Sequence, residues 1–217
     1  LLHLDGELRR LLSWLEASGR GDSTTVIVTS DHGEYFGEHR LLWHSKHLHR
    51  PVLDVPLIIK GPRVKPGRTD RRAQGPDLFP TILDLLGVSH DGRRIQGSSL
   101  VRDAIERPAV AEWYSSNDPG FREPRFHGRF DRDLRVLRLA SHELFEDERG
   151  NLELYHLVDD PEEENDLAAR RPEVTAELQE LLRRWVENHP PAVVRESAAP
   201  EIDEEQREKI RALGYMQ

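Results

Sequence analysis

Leu4, Leu8, Leu11, Leu12 and Leu15 recur at the three- and four-residue spacing of one helix face, with Glu7, Arg9, Arg10 and Glu16 between them. The pattern predicts an amphipathic helix that ends near Gly19. Past the polar stretch Arg20–Ser23 the period changes. Thr24–Thr29 (TTVIVT) is a β-branched, apolar run of strand length and predicts a buried strand. A helix running straight into such a strand is half of a βαβ unit, so a parallel pairing is expected. Val52–Lys60 (VLDVPLIIK) holds a second strand that begins after Pro56 and is stopped by Gly61-Pro62. Val64–Arg72 is polar and predicts a turn or short edge hairpin. Pro76–Gly87 (PDLFPTILDLLG) returns to helical spacing, with Pro80 at a permissible early position and Gly87 as the cap.

The second half reads differently. Ala109–Trp113 predicts a short strand, and Ser115–Phe130, full of Gly, Pro and Arg, an irregular loop. Leu134–Leu139, Glu143–Glu146 and Asn151–Leu157 are strand-like runs joined by short connections, the pattern of an antiparallel meander. Pro172–Asn188 carries Val174, Leu178, Leu181, Leu182 and Trp185 on one face and predicts a packing helix. A linker over Pro190–Pro200 and a short helix over Glu204–Leu213 follow. The shift near residue 107 divides the chain into an α/β part, residues 1–107, and a small α+β part with a helical tail, residues 108–217.

Composition narrows the function classes. With 31 Lys+Arg against 40 Asp+Glu, the formal net charge of -9 argues against nucleic acid as a partner, which wants a basic face. The absence of cysteine rules out disulfides, thiolate metal sites and cysteine nucleophiles within these 217 residues. No apolar run reaches the ~20 residues of a membrane span. The chain opens on Leu1 within a helical pattern, so it is expected to be a piece of a longer protein, and its compartment is not legible.

Candidate chemistry gathers where the first strand ends. Thr24–Glu34 reads TTVIVTSDHGE, so Asp31 and His32 stand at the strand's carboxyl end, where open α/β sheets place their ligands. A hard divalent cation wants carboxylate oxygens, and imidazole can complete the set. An Asp-His pair alone is more often a turn cap beside a packed or solvated histidine.

Context decides between these. TTVIVTSDHGEYFGEH, WHSKHLHRPVLDVPLIIKGP, GPDLFPTILDLLGV, IQGSSL, LELYHLVDDPEEENDLA and the closing RALGYMQ together resemble, in order, the C-terminal part of the sulfatase family within the alkaline phosphatase-like superfamily. Residues 110–145 are the least similar. The resemblance implies part of an alkaline phosphatase-like α/β sandwich, a mostly parallel sheet with flanking helices, plus a small C-terminal antiparallel sheet with its packing helix. It implies that Asp31 and His32 ligate a divalent cation, usually calcium. A basic residue in the next loop, His44 or Lys46, would contact the sulfate ester or the leaving-group oxygen. His39 matches a family histidine that is structural or pocket-lining, and His47 and His49 are expected at the surface. The acidic run Asp159, Asp160, Glu162, Glu163, Glu164 is expected to be a solvated turn.

The sequence also departs from the family. His49-Arg50-Pro51 stands where the family has Tyr-Glu-Glu, so the next helix cannot begin or be capped in the same way. The formylglycine nucleophile of sulfatases arises from Cys or Ser in a segment of the form C/S-x-P/A-x-R, and none occurs here, nor does an apolar strand ending in Asp-Asp. These belong to the N-terminal half of the domain, the implied partner of this chain. The implied activity is hydrolysis of sulfate esters of small molecules or sugars by that whole. A phosphodiesterase or phosphonate monoester hydrolase, a non-catalytic truncated module and an independent metal-binding module stand as alternatives.

Overall fold

A computed structural model describes all residues except 1, 45–46, 92–94, 103–105, 115–131, 191–202 and 213–217, and, at residues 210–212, the backbone alone. The expected loop over Ser115–Phe130 lies outside the described residues, as does the linker after Pro190. The chain divides into two compact units, Leu1–Leu182 and Arg183–Gln217.

The first unit opens with α1 (Leu2–Ala17), which stops just before Gly19, left-handed at φ 68°. Only Leu15 of its leucine face is buried, and Leu4, Leu11 and Trp14 stay exposed. β1 (Val26–Thr29) follows. Three short elements come next: β2 (Tyr35–Phe36), β3 (Leu42–Trp43) and the single-turn α2 (Arg50–Leu53). β4 (Leu57–Lys60) then pairs with β1, Val26 opposite Lys60 and Thr29 opposite Leu57.

That pairing is antiparallel, as is every strand pair among the described residues, whereas a parallel neighbour was expected. The reason lies in the connection. A parallel return needs a crossover of a dozen or more residues, usually a full helix. Between β1 and β4 the chain instead spends its length on the β2–β3 hairpin and one helical turn, and comes back alongside β1 in the opposite sense. After Asp77, α3 (Leu78–Leu86) ends at Gly87, which adopts the left-handed cap conformation at φ 72°. Phe79 and Leu86 of α3 remain exposed.

The same unit holds the meander. β5 (Ala109–Trp113), β6 (Leu134–Leu139), β7 (His142–Asp147) and β8 (Leu152–His156) form one antiparallel sheet in chain order. Leu48, Leu134, Val136, Phe145 and Tyr155 form its core, and a second cluster of Tyr35, Leu41 and Val52 sits under the loop after β1. Trp113 packs against both, so the two cores are continuous. α4 (Pro172–Asn188) buries Thr175, Leu178 and Leu182, and Gln179 Nε2 donates to Glu146 Oε1 at 2.8 Å, fixing the helix to β7. In the second unit, α5 (Glu204–Ala212) carries a Lys209–Glu205 ion pair of 2.6 Å. No helix among the described residues is long and apolar enough to cross a membrane.

Candidate active-site loop

The turn that ends β1 is held by its own polar groups. Ser30 Oγ donates to the His32 carbonyl at 2.7 Å, and the His32 backbone N–H donates to Asp31 Oδ1 at 3.0 Å. These bonds point the Asp31 carboxylate outward, its side chain 68% exposed. His32 Nδ1 donates to the Gly33 carbonyl at 2.9 Å. With that proton placed, a neutral ring keeps its lone pair on Nε2, 3.7 Å from Asp31 Oδ2. Two electron-rich atoms at this spacing make the edge of a coordination sphere with metal–ligand bonds of about 2.3–2.6 Å, the range of calcium. The donor set therefore fits a divalent cation.

Gly33 sets the path of the loop, by close approach rather than by a special torsion. A Cβ there would lie 2.1 Å from the Pro51 carbonyl oxygen, and the Gly33 N–H donates to the Val52 carbonyl at 2.7 Å. The turn is thus bonded directly to α2. Beyond it, His39, Arg40 and Trp43 all adopt positive φ, 50°, 61° and 70°. Strain of this kind persists only where the surroundings impose it and concentrates at working sites.

The hairpin brings His44 onto His32. Their rings stack with centroids 4.1 Å apart. His44 Nδ1 lies 2.8 Å from Glu34 Oε1, so the carboxylate accepts its proton and directs Nε2 elsewhere. His32, Glu34 and His44 together form one of two groups among the described residues that could hold a metal ion. Sequence reasoning missed Glu34. Its signal was the spacing from His32, two positions along an extended segment. Lys46, the other candidate base, lies outside the described residues.

The second group is His39, His49 and Glu163. It corrects two expectations. His47 and His49 are buried, at 7% and 6% exposure, because the segment after the hairpin dives under Phe145 of β7. While Asp159, Glu162 and Glu164 of the acidic turn stay exposed as expected, Glu163 is buried at 2%, turned in against α2. There its Oε2 accepts the Arg50 N–H at 2.9 Å, supplying the helix N-terminus with the acceptor that His49-Arg50-Pro51 cannot provide locally. Pro51 occupies a position in the first turn that needs no N–H. Burial lowers the His49 pKa to about 4, and burial with the adjacent Glu163 carboxyl raises Glu143 to about 8. Arg138 bonds Glu143 Oε1 at 2.6 Å and Asp54 Oδ1 at 2.5 Å, tying α2 to the meander.

Solved structures share this architecture. A putative sulfatase from Bacteroides thetaiotaomicron superposes with a TM-score of 0.73 at 22% identity, covering 85% of this chain and 40% of that one. Phosphonate monoester hydrolase of Agrobacterium radiobacter superposes with a TM-score of 0.72 at 25% identity, covering 93% and 42%. The fold is that of an alkaline phosphatase-like α/β protein. The Sulfatase family model matches residues 1–88. Arylsulfatase K of Danio rerio is 31% identical over 188 residues, 84% of this chain and 35% of the relative. An N-acetylglucosamine-6-O-sulfatase of Bacteroides thetaiotaomicron is 28% identical over 208 residues, 88% of this chain and 36% of the relative. The chain belongs to the sulfatase family. It spans about a third of the length of these curated relatives.

Proposed function

We propose that this chain supplies one wall of a sulfate-ester hydrolase site, with Asp31 and His32 as calcium ligands and His44 as the basic group facing the ester. The observation that carries the reading is the ordered loop at the β1 end, where Asp31 Oδ2 and His32 Nε2 lie 3.7 Å apart and His44 stacks on His32. A bound cation would neutralise charge on an ester oxygen and on the nucleophile. Asp31 and His32 would hold it, Gly33 fixes their distance from α2, and Glu34 orients His44. A proton on His44 Nε2 would stabilise the departing oxygen. Lys46 shares that candidacy. The formylglycine nucleophile and the remaining ligands would come from the rest of the domain, and the exposed apolar faces of α1 and α3 suit a covering partner of that kind.

The substrate class is a sulfated small molecule or sugar, in keeping with the relatives' sulfatase names. A phosphonate monoester is the second reading. It is suggested by the likeness to the phosphonate monoester hydrolase of Agrobacterium radiobacter.

The test is hydrolysis of an aryl sulfate and an aryl phosphonate, with calcium, by the longer polypeptide that contains this chain and the nucleophile segment. Sulfate turnover abolished by Asp31→Ala is the expected result. Turnover untouched by that substitution would reject the assignment, and preference for the phosphonate would select the second reading. The 217 residues alone are expected to show no turnover.

A further inference from the structure

We infer that the buried carboxyl pair Glu143–Glu163 is a pH-sensitive latch on the loop after β1: a proton shared by the pair seats α2 against that loop, and its loss lets α2 and the loop open together. Only the last step, from the loop to calcium, rests on the proposed function. The two side chains are fully buried and hydrogen bonded to each other. A carboxyl donates only when protonated, so this bond needs one proton between two groups that are both anions in water at neutral pH. Glu143 Oε1 already accepts from Arg138 at 2.6 Å, and Glu163 Oε2 accepts the Arg50 N–H at 2.9 Å. Glu143 Oε2 and Glu163 Oε1 remain for the shared proton. The nearby cations are engaged. Arg138 is divided between Glu143 and Asp54, Arg50 Nε bonds Asp54 at 2.8 Å, and Arg72 bonds the Arg138 and Ala140 carbonyls. Burial lowers the pKa of both His39 and His49, so these rings bring no charge above pH 7. They stack in parallel, 3.7 Å apart, and their in-plane lone pairs do not converge on one ion. Burial raises Tyr35 and Tyr155, which stay neutral phenols.

Burial above all, then the bond to Glu163, holds the Glu143 proton up to about 8, and burial raises Glu163 as well. Once the proton leaves, two anions face each other out of reach of water, and one must move. Glu143 is fixed in β7 by Arg138. Glu163 sits on a turn whose Glu162 and Glu164 already stand in solvent, so Glu163 is the one that swings out. Its departure removes the acceptor from the Arg50 N–H, at the start of a four-residue helix with no local side-chain cap. That helix carries the two carbonyls on which the loop rests. Pro51 packs under Gly33, and the Val52 carbonyl accepts the Gly33 N–H at 2.7 Å. Asp31 and His32 directly precede Gly33. One unbroken series of contacts therefore runs from the shared proton to the cation ligands, and by linkage a cation held there should in turn favour the proton.

The experiment is hydrogen exchange read by mass spectrometry from pH 7 to 9, on the longer polypeptide that contains this chain, corrected for the intrinsic rate at each pH. Between pH 8 and 9, peptides covering 30–36 and 49–55 are expected to lose protection together, by up to about tenfold. β6–β8 should keep theirs, because there the folded and the unfolded chain hold nearly the same protons. Glu143→Gln, which puts an amide N–H in place of the shared proton, is expected to hold both peptides level. Loss in 49–55 without loss in 30–36, loss spread evenly over the sheet, loss undiminished in Glu143→Gln, or no loss at all would overturn the latch. Calcium titration of the same samples reads the last step. Affinity should fall roughly tenfold from pH 7 to 9 and stay level in Glu143→Gln. A level affinity in the unchanged protein would overturn the coupling to the cation. Calcium binding that is absent at pH 7, or indifferent to Asp31→Ala, would sink the calcium assignment and leave the exchange data to judge the latch. If Glu143→Gln fails to fold, the contrast between the two peptides and β6–β8 still decides.

Discussion

The backbone N–H of Arg50 ends on the carboxylate of Glu163, 113 positions further along the chain. This bond caps a four-residue helix whose first turn has no local side-chain acceptor. Glu163→Ala should therefore cost more than an ordinary surface change. It strips the α2 N-terminus of its acceptor and leaves Glu143 without its partner carboxyl. Unsatisfied buried groups of this kind cost about 1–3 kcal/mol each. Urea denaturation of the metal-free chain checks it, and Glu163→Gln, which keeps an acceptor oxygen, should lose less.

Stability should fall as pH rises above 6.5. Glu143, raised to about 8, holds a proton in the folded state that the unfolded chain releases near 4.5, so its contribution is full below 4.5 and is lost through 8. His49, lowered to about 4, works the other way, and its contribution is lost as pH falls from 6.5 to 4. The two oppose each other between 4.5 and 6.5. Above that the Glu143–Glu163 carboxyl pair, both members raised by burial, carries the trend, with a slope on the order of 1.4 kcal/mol per pH unit. Denaturation midpoints at pH 6.5, 7.25 and 8 measure it, and Glu143→Gln should flatten the series.

Gly33→Ala should displace the loop after β1. The new Cβ would meet the Pro51 carbonyl oxygen at 2.1 Å, and backbone cannot yield as a flexible side chain does. Overpacking of this order costs about 1–3 kcal/mol. A lowered melting temperature together with weaker calcium binding is the expected pair of readouts. An unchanged melt would mean that α2 moves freely against the loop.

His44→Ala, in the longer polypeptide, should lower kcat by about 10²–10⁴, the usual contribution of a positioned proton donor. Glu34→Gln should cost less, because it removes only the group that orients His44. If Lys46→Ala carries the loss instead and His44→Ala does not, the basic role passes to Lys46.

Much of the fold was legible because periodicity reports burial. The helices over α1, α3 and α4 and the meander from β5 to β8 fall within a few residues of the spans that leucine spacing and strand-length runs predict. The Asp31–His32 pair was legible because a strand that ends in polar residues places them at its tip. What escaped was set by distant contacts. Nothing near His47, His49 or Glu163 announces burial, since each is covered by residues far off in sequence, Phe145 above two of them and α2 above the third. Pairing direction escaped as well, because it depends on what the connecting segment spends its length on.

The span between Arg50 and Glu163 also orders events in time. During synthesis the strand bearing Asp31 and His32 emerges well before the turn that caps α2, and long-range closures are slow to form. Until Glu163 arrives, α2 lacks its anchor and Gly33 has no settled backbone to lean on. The first-made part of the loop is thus among the last to be finished, and a ribosome-bound chain ending short of Glu163 should carry Asp31 and His32 without yet holding them in register.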